Sequence, residues 1–138
     1  MHVQYAAPPL RLDPDAQYQA GACNIGPAEI ASRRRAGMVG LAIAAVIALA
    51  VLVLDLPTWT RVIVFLPLAS GLVSLEQVRR RFCVGFAMAG LRNFGPLGTP
   101  DKVTDAADLA ADRRAALIVV GYCSAIAAVV TLAFVAVG

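Results

Sequence analysis

The chain has 138 residues, of which 59% are hydrophobic and 15% are charged, and its formal net charge is +3. A soluble domain is typically about half apolar and about one quarter charged. This composition therefore argues against a soluble globular domain and favours an integral membrane protein.

Three apolar segments are the clearest feature of the sequence. Residues 36–54 and 115–137 contain no charged side chain over 19 and 23 residues, respectively. A helix needs about 20 residues to cross about 30 Å of hydrocarbon, so both can span. Residues 62–75 are shorter, but extension back to Pro57 gives 19 residues, with Arg61 able to reach the interface. The sequence thus predicts three transmembrane helices.

The basic residues indicate an orientation for these helices. Of the 12 arginines and lysines, four precede the first span, one lies between the first two spans, and seven lie between the last two. The positive-inside rule places the N-terminus and the second loop in the cytoplasm and the C-terminus outside. We expect no cleaved signal peptide, because the segment before the first span is charged.

The predicted fold class is all-α, an integral membrane three-helix bundle with a cytoplasmic N-terminal arm and an interfacial loop helix. Prolines 8, 9 and 14 favour an extended arm that orders only against a partner. The predicted divisions are the arm (1–26), a helix with the first span (27–56), the second span (57–76), a cytoplasmic loop (77–103) and a helix with the third span (104–138).

Local signals predict where the first two helices begin, end and bend. Gly26 can cap a helix, Pro27 suits its first position, and the charge of Glu29 favours its N-terminus, so the first helix should run from Pro27 through Leu54. Pro67 lies in the middle of the second span and predicts a kink there.

The loop and the last helix carry weaker signals. Residues 82–91 are apolar but too short to cross a bilayer, so we expect a helix that lies on the membrane surface or packs against the bundle. Phe82, Phe86, Met88 and Ala89 would share its broad face. Thr104 is predicted to cap a helix that continues without interruption into the third span. Small residues that favour close helix packing recur at Gly40, Ala44 and Ala48, at Gly85 and Ala89, and at Gly121 and Ala125.

The sequence offers few groups for chemistry. It has three cysteines and one histidine, His2, too few for a self-contained zinc site or metal cluster, and no base for nucleophilic catalysis. The spans contain no ionisable interior residue of the kind that transport requires. We therefore expect no enzyme activity, cofactor or metal. The arginines carry no interleaved stacking aromatics, so anionic lipid headgroups are expected as partners and nucleic acid is not.

Two sequence boxes resemble those of a known group of proteins. Residues 23–30 (CNIGPAEI) with 33–37 (RRRAG), and Phe82-Cys83 with Asn93-Phe94-Gly95, are similar to boxes in small, uncharacterised bacterial membrane proteins with three spans. The resemblance covers residues 18–130. It implies location in the bacterial cytoplasmic (inner) membrane and, since no activity is associated with these proteins, it carries over no catalytic residues. Because both boxes fall on the predicted cytoplasmic face, we expect them to fold together into a cap.

The expected function is a non-catalytic accessory or scaffold subunit in an energy-transducing or transport assembly, packing with other membrane subunits or with copies of itself. The alternative is a thiol sensor or cofactor holder that uses Cys23 and Cys83, since nearby arginines would lower a thiol pKa. The candidate interaction residues are Cys23, Asn24, Gly26, Glu29, Arg33, Arg34, Arg35, Arg79, Arg80, Arg81, Phe82, Cys83, Asn93 and Phe94.

Overall fold

The computed structural model describes residues 17–138, which are mostly helical and belong to the all-α class. Most of the predicted N-terminal arm lies outside the described residues. The elements, in chain order, are α1 (Pro27–Val53), a 3₁₀-helix (Thr58–Val64), α2 (Phe65–Arg80), α3 (Val84–Ala89), β1 (Leu91–Arg92), β2 (Asp101–Lys102) and α4 (Ala106–Ala136). Strands β1 and β2 form a short antiparallel ribbon in which Leu91 lies opposite Lys102.

Three helical stretches are long and apolar enough to cross a membrane, one at each of the predicted places. They are Pro27–Val53, Thr58–Arg80 and Ala106–Ala136. Helix α1 packs against α2, and α2 packs against α4. Large apolar side chains such as Val46 and Leu132 remain about two-thirds exposed, at 66% and 65%. An apolar surface of this extent suits contact with lipid or with another membrane protein.

The second stretch differs from the prediction at its proline. Pro67 is the third residue of α2, and α2 follows the 3₁₀-helix directly. Pro67 therefore does not lie in the middle of a continuous α-helix. The first turn of an α-helix has no intrahelical acceptors for its N–H groups, so a missing donor costs little there. The chain changes from 3₁₀ to α geometry just before the proline, and the predicted kink itself stays a prediction.

Helix α4 begins one residue later than predicted. Its N-cap is Asp105, whose carboxylate accepts a hydrogen bond of 3.0 Å from the backbone N–H of Asp108, so Thr104 is not the cap. Threonine and aspartate are both good N-cap residues. The backbone geometry decides which of the two neighbours, Thr104 or Asp105, caps the helix. The helix then continues through Arg113 and Arg114, as expected.

The loop helix is shorter than predicted and packs against the rest of the chain. Helix α3 has only six residues and contacts α4, where Phe82, Ala87 and Ala116 form a buried apolar cluster. The predicted face is wrong in part, because Met88 is 47% exposed while Phe82 and Ala87 are buried. The helix begins only at Val84, so Phe82 reaches the cluster from an extended segment.

The small residues of α1 allow a very close approach to α2. A Cβ atom at Gly40 would lie 3.0 Å from the Cα of Gly71 and 3.2 Å from the carbonyl oxygen of Pro67. Both neighbours are backbone atoms that cannot move aside, so the two helices touch through their main chains. In contrast, a Cβ at Gly121 would meet no described atom within 4 Å, and this glycine lies on an open face of α4.

We expect Gly40→Val to separate α1 from α2 and to lower the free energy of unfolding by about 1–3 kcal/mol, the usual cost of overpacking. Thermal unfolding in a mild detergent, followed by circular dichroism, measures the change. Gly121→Val is the matched control and should leave the midpoint of the monomeric chain almost unchanged, because a Cβ there meets no described atom. Equal losses in the two variants would contradict a close α1–α2 contact.

Candidate functional site

The two sequence boxes meet at one end of the long helices, as expected. The backbone N–H of Asn24 donates to the carbonyl of Arg81 at 3.1 Å, and the N–H of Asn93 donates to the carbonyl of Asn24 at 2.9 Å. The N–H of Gly26 in turn donates to the carbonyl of Asn93 at 2.8 Å. These bonds join the residues before α1 to the residues that follow α2 and α3.

The side chain of Asn24 extends this pairing. Its Oδ1 accepts from the backbone N–H of Cys83 at 2.6 Å, and its Nδ2 donates to the carbonyl of Cys83 at 3.1 Å. Asn24 is completely buried, at 0% exposure. A buried amide needs partners for both its donor and its acceptor, and here the backbone N–H and C=O of one residue, Cys83, supply both.

Gly26 has a steric reason to be glycine. A Cβ atom at this position would lie 2.9 Å from both the Cα and the carbonyl oxygen of Phe94. Any side chain would therefore push apart the two boxes at the point where Gly26 bonds to Asn93. Phe94 itself is buried against this turn.

Asn93 is the second buried amide of the site. Its Nδ2 donates to Glu29 Oε1 at 3.0 Å and to the carbonyl of Pro96 at 3.0 Å, while its Oδ1 accepts from the N–H of Gly95 at 3.0 Å. Glu29 is only 4% exposed and forms an ion pair with Arg33 at 3.4 Å. The buried charge of Glu29 is thus balanced by one cation and one amide donor.

Cys83 is held by the same arginine. Its Sγ accepts from Arg33 Nη2 at 3.1 Å and from the backbone N–H of Phe86 at 3.5 Å, so the thiol caps the start of α3. Gln77, also buried, accepts from the N–H of Val84 at 3.0 Å. We call Asn24, Glu29, Arg33, Cys83 and Asn93 the asparagine network.

A second contact joins the residues before α1 to α4. The Tyr18 hydroxyl donates to Asp112 Oδ2 at 2.7 Å, and the backbone N–H of Gly21 donates to Asp112 Oδ1 at 2.7 Å. The Arg92 guanidinium lies 5.0 Å from the centre of the Tyr18 ring. The end of the predicted arm is therefore bound to its own chain, since the two carboxylate oxygens of Asp112 accept hydrogen bonds from Tyr18 and Gly21.

An open cleft of about 1050 Å³ lies between the start of α1 and the end of α2. We call it the arginine cleft, because four guanidinium-bearing side chains line it, those of Arg34, Arg79, Arg80 and Arg81. Cys23 also lines it. Burial raises the pKa of the Cys23 thiol, and this effect exceeds the opposing influence of Arg81. Arg81 thus lowers the thiol pKa as expected, but burial outweighs it and the net pKa of Cys23 is raised.

The remaining candidates divide into two groups. Phe82 is buried in the apolar cluster with Ala87 of α3, whereas Arg35 is exposed and belongs to neither the arginine cleft nor the asparagine network.

Sequence reasoning missed Gln77, Tyr18 and Asp112. Gln77 stands among charged residues, and Asp112 is followed by two arginines, so each has the sequence context of a solvated residue.

Within residues 17–138, no three histidine, cysteine, aspartate or glutamate side chains lie close enough together to hold a metal ion. Comparison with protein-family models, with curated proteins and with solved structures found no match.

The Asn93–Glu29 hydrogen bond gives a direct test of the asparagine network. Asn93→Asp should place a second carboxylate against Glu29 and lower the free energy of unfolding by about 2–3 kcal/mol, because a buried donor to a charged group is lost. The exchange rate of the Gly26 amide, measured by NMR in detergent micelles, should rise accordingly.

The double variant Asn93→Asp/Glu29→Gln is the control, because it reverses the roles of donor and acceptor and restores one hydrogen bond. It should recover part of the lost protection. If Asn93→Asp leaves the Gly26 amide as protected as in the original chain, the network does not hold the two boxes together.

The Tyr18–Asp112 contact predicts a pH dependence. Burial, followed by the hydrogen bond to Asp112, raises the pKa of Tyr18 well above its ordinary value of 10.0. The contact therefore contributes its full stability below pH 10 and loses it as the pH rises through the raised pKa.

Subtracting the ultraviolet titration of Tyr18→Phe from that of the original chain isolates the ionisation of Tyr18. This difference should show a midpoint above pH 10, and Asp112→Asn should shift it downward. A midpoint at the ordinary value would show that the contact is absent in solution.

Proposed function

We propose that this chain is a non-catalytic accessory or scaffold subunit that crosses the membrane as a three-helix bundle. It packs with other membrane subunits or with copies of itself within an energy-transducing or transport assembly. Its arginine-rich end, residues 33–35 and 79–81, faces the cytoplasm of a bacterial cell. The asparagine network is the single observation that carries this proposal.

The asparagine network supports a structural role because its buried polar atoms are engaged within the chain. The amides of Asn24 and Asn93 bind backbone groups and Glu29, and Glu29 binds Arg33. Such bonds fix the relative position of helix ends, since breaking them leaves buried groups without partners. A rigid end of this kind would present a constant surface to a neighbouring subunit.

The spans retain surface that a partner helix could cover. Gly121 and Ala125 lie one turn apart on the exposed side of α4. Val62, Phe65, Ala128, Thr131 and Leu132 line a shallow groove of about 270 Å³. In lipid, association depends on close packing and hydrogen bonds, which flat faces and grooves favour. Thr131 Oγ1 is buried and has no hydrogen-bond partner among the described residues.

The orientation rests on the distribution of charge. Of the eleven basic residues within 17–138, ten lie at the end that carries the asparagine network or in the segments leading to it, and Arg61 lies at the other end. Cytoplasmic loops carry such an excess of arginine and lysine. The proposed location is the bacterial cytoplasmic membrane, in keeping with the resemblance of the two boxes.

The thiol-sensor alternative has weaker support. The raised pKa of Cys23 leaves less of the reactive thiolate at neutral pH, and Cys83 is buried as the cap of α3. The contact of Arg33 with Cys83 Sγ is the one feature that favours it.

Purification of the full chain from its native membrane in a mild detergent, followed by native mass spectrometry, tests the scaffold proposal. We expect a complex with at least one other copy or a second membrane protein. Gly121→Leu should weaken that complex by obstructing the open face of α4, whereas Val130→Leu, on the opposite side of the helix, should leave it intact.

A lone monomer under conditions that preserve other native membrane complexes would count against the scaffold role. An equal effect of the two substitutions would mean that the Gly121 face is not the packing surface.

A further inference from the structure

We propose that the arginine cleft binds a phosphate group, and that this phosphate belongs to the headgroup of a membrane lipid. The inference rests on the proposed membrane insertion but not on the scaffold role. The charges of the cleft, the nature of its walls and its level relative to the spans each support it.

The charges of the cleft are strongly unbalanced. Arg34, Arg79, Arg80 and Arg81 contribute side chains, and none of the described residues that line it is an aspartate or glutamate. Glu76, outside the lining, pairs with Arg79 and Arg80, with an Nε–O distance of 2.6 Å for Arg80. One carboxylate thus offsets part of the charge of four guanidinium groups.

Two of these arginines are available to a ligand. Within residues 17–138, Arg34 and Arg81 form no ion pair with an acidic side chain, and both are exposed at the edge of the cleft. Arginine presents a planar set of N–H donors that fits two oxygens of a phosphate at once. Arg34 lies on α1 and Arg81 follows α2, so the cleft offers guanidinium donors from both of its walls.

The walls of the cleft are partly apolar. Ile30 and Val78, which are both partly exposed, line it together with the arginines. A free phosphate would gain nothing from these side chains, whereas an amphiphile could place its glycerol and first methylene groups against them. The volume of about 1050 Å³ is also far larger than a single phosphate ion needs.

The arginines of the cleft lie beside the ends of the uncharged segments, at the depth where lipid headgroups are expected. Arg34 lies two residues before the first uncharged segment, and Arg79 lies four residues after the last residue of the second, Leu75. Both therefore lie within about one helical turn of the hydrocarbon edge. The phosphates of anionic lipids occupy this layer and are attracted by basic residues there.

The experiment compares two double variants that remove the same charge from the same end of the protein. Arg34→Gln/Arg81→Gln changes the cleft, and Arg113→Gln/Arg114→Gln changes exposed arginines that do not line it. The full chain in a nonionic detergent is titrated at constant ionic strength with short-chain phosphatidic acid, with inorganic phosphate or with diacylglycerol. Native mass spectrometry measures binding.

We expect phosphatidic acid to bind the original chain and the Arg113/Arg114 variant with similar affinity. The Arg34/Arg81 variant should bind at least about tenfold more weakly, a change equivalent to about 1.4 kcal/mol. Inorganic phosphate and diacylglycerol, which each supply only half of the ligand, should bind much more weakly than phosphatidic acid.

Each other outcome overturns part or all of the proposal. Inorganic phosphate binding as tightly as phosphatidic acid would refute the lipid source, and tight binding of diacylglycerol would refute phosphate recognition. Equal losses in the two double variants would reduce the effect to general surface charge. Protection of the Gly26 amide reports folding, and the single variant Arg34→Gln, which leaves the Arg81 turn intact, replaces the double variant if protection is lost.

Discussion

The fold at the arginine-rich end depends on one buried amide, that of Asn24, which bonds to both polar groups of the Cys83 backbone. Complete burial of Asn24 removes water as an alternative partner, so the amide can be satisfied only in this arrangement. The start of α1 is thereby joined to the segment that leaves α2. Asn93 makes a similar connection, because its side-chain amide donates a hydrogen bond to Glu29 in the first turn of α1.

These bonds also create the arginine cleft. The residues before α1 cross to the segment after α2, and this leaves an opening between Arg34 on one helix and residues 79–81 on the other. Arg34 of α1 thereby lies across the cleft from the arginines at the end of α2, and an anionic ligand would relieve the repulsion between their charges.

The spans obey a different constraint. Contact between α1 and α2 comes from the absence of side chains at Gly40 and Gly71, because dispersion between closely packed backbones replaces the hydrophobic effect where lipid surrounds the helices. The exposed face of α4 around Gly121 is also formed by small residues, but a Cβ at Gly121 would meet no described atom within 4 Å. The bonded helix ends and the exposed small-residue face of α4 are the two features on which the proposed scaffold role rests.

The sequence by itself determined the all-α class, the number of helices long and apolar enough to cross a membrane, and the start of α1. These follow from local composition, chain length and the fixed geometry of Pro27. It also indicated that the two boxes would meet, since both lie beside the same span ends. Only the tertiary structure decided the partners of Asn24 and Asn93, the place of Pro67 at a 3₁₀-to-α junction, the burial of Asp112 and the short α3. Each of these depends on residues far apart in the chain or on competition between equally suitable neighbours, as with Thr104 and Asp105. No local sequence pattern encodes either kind of information.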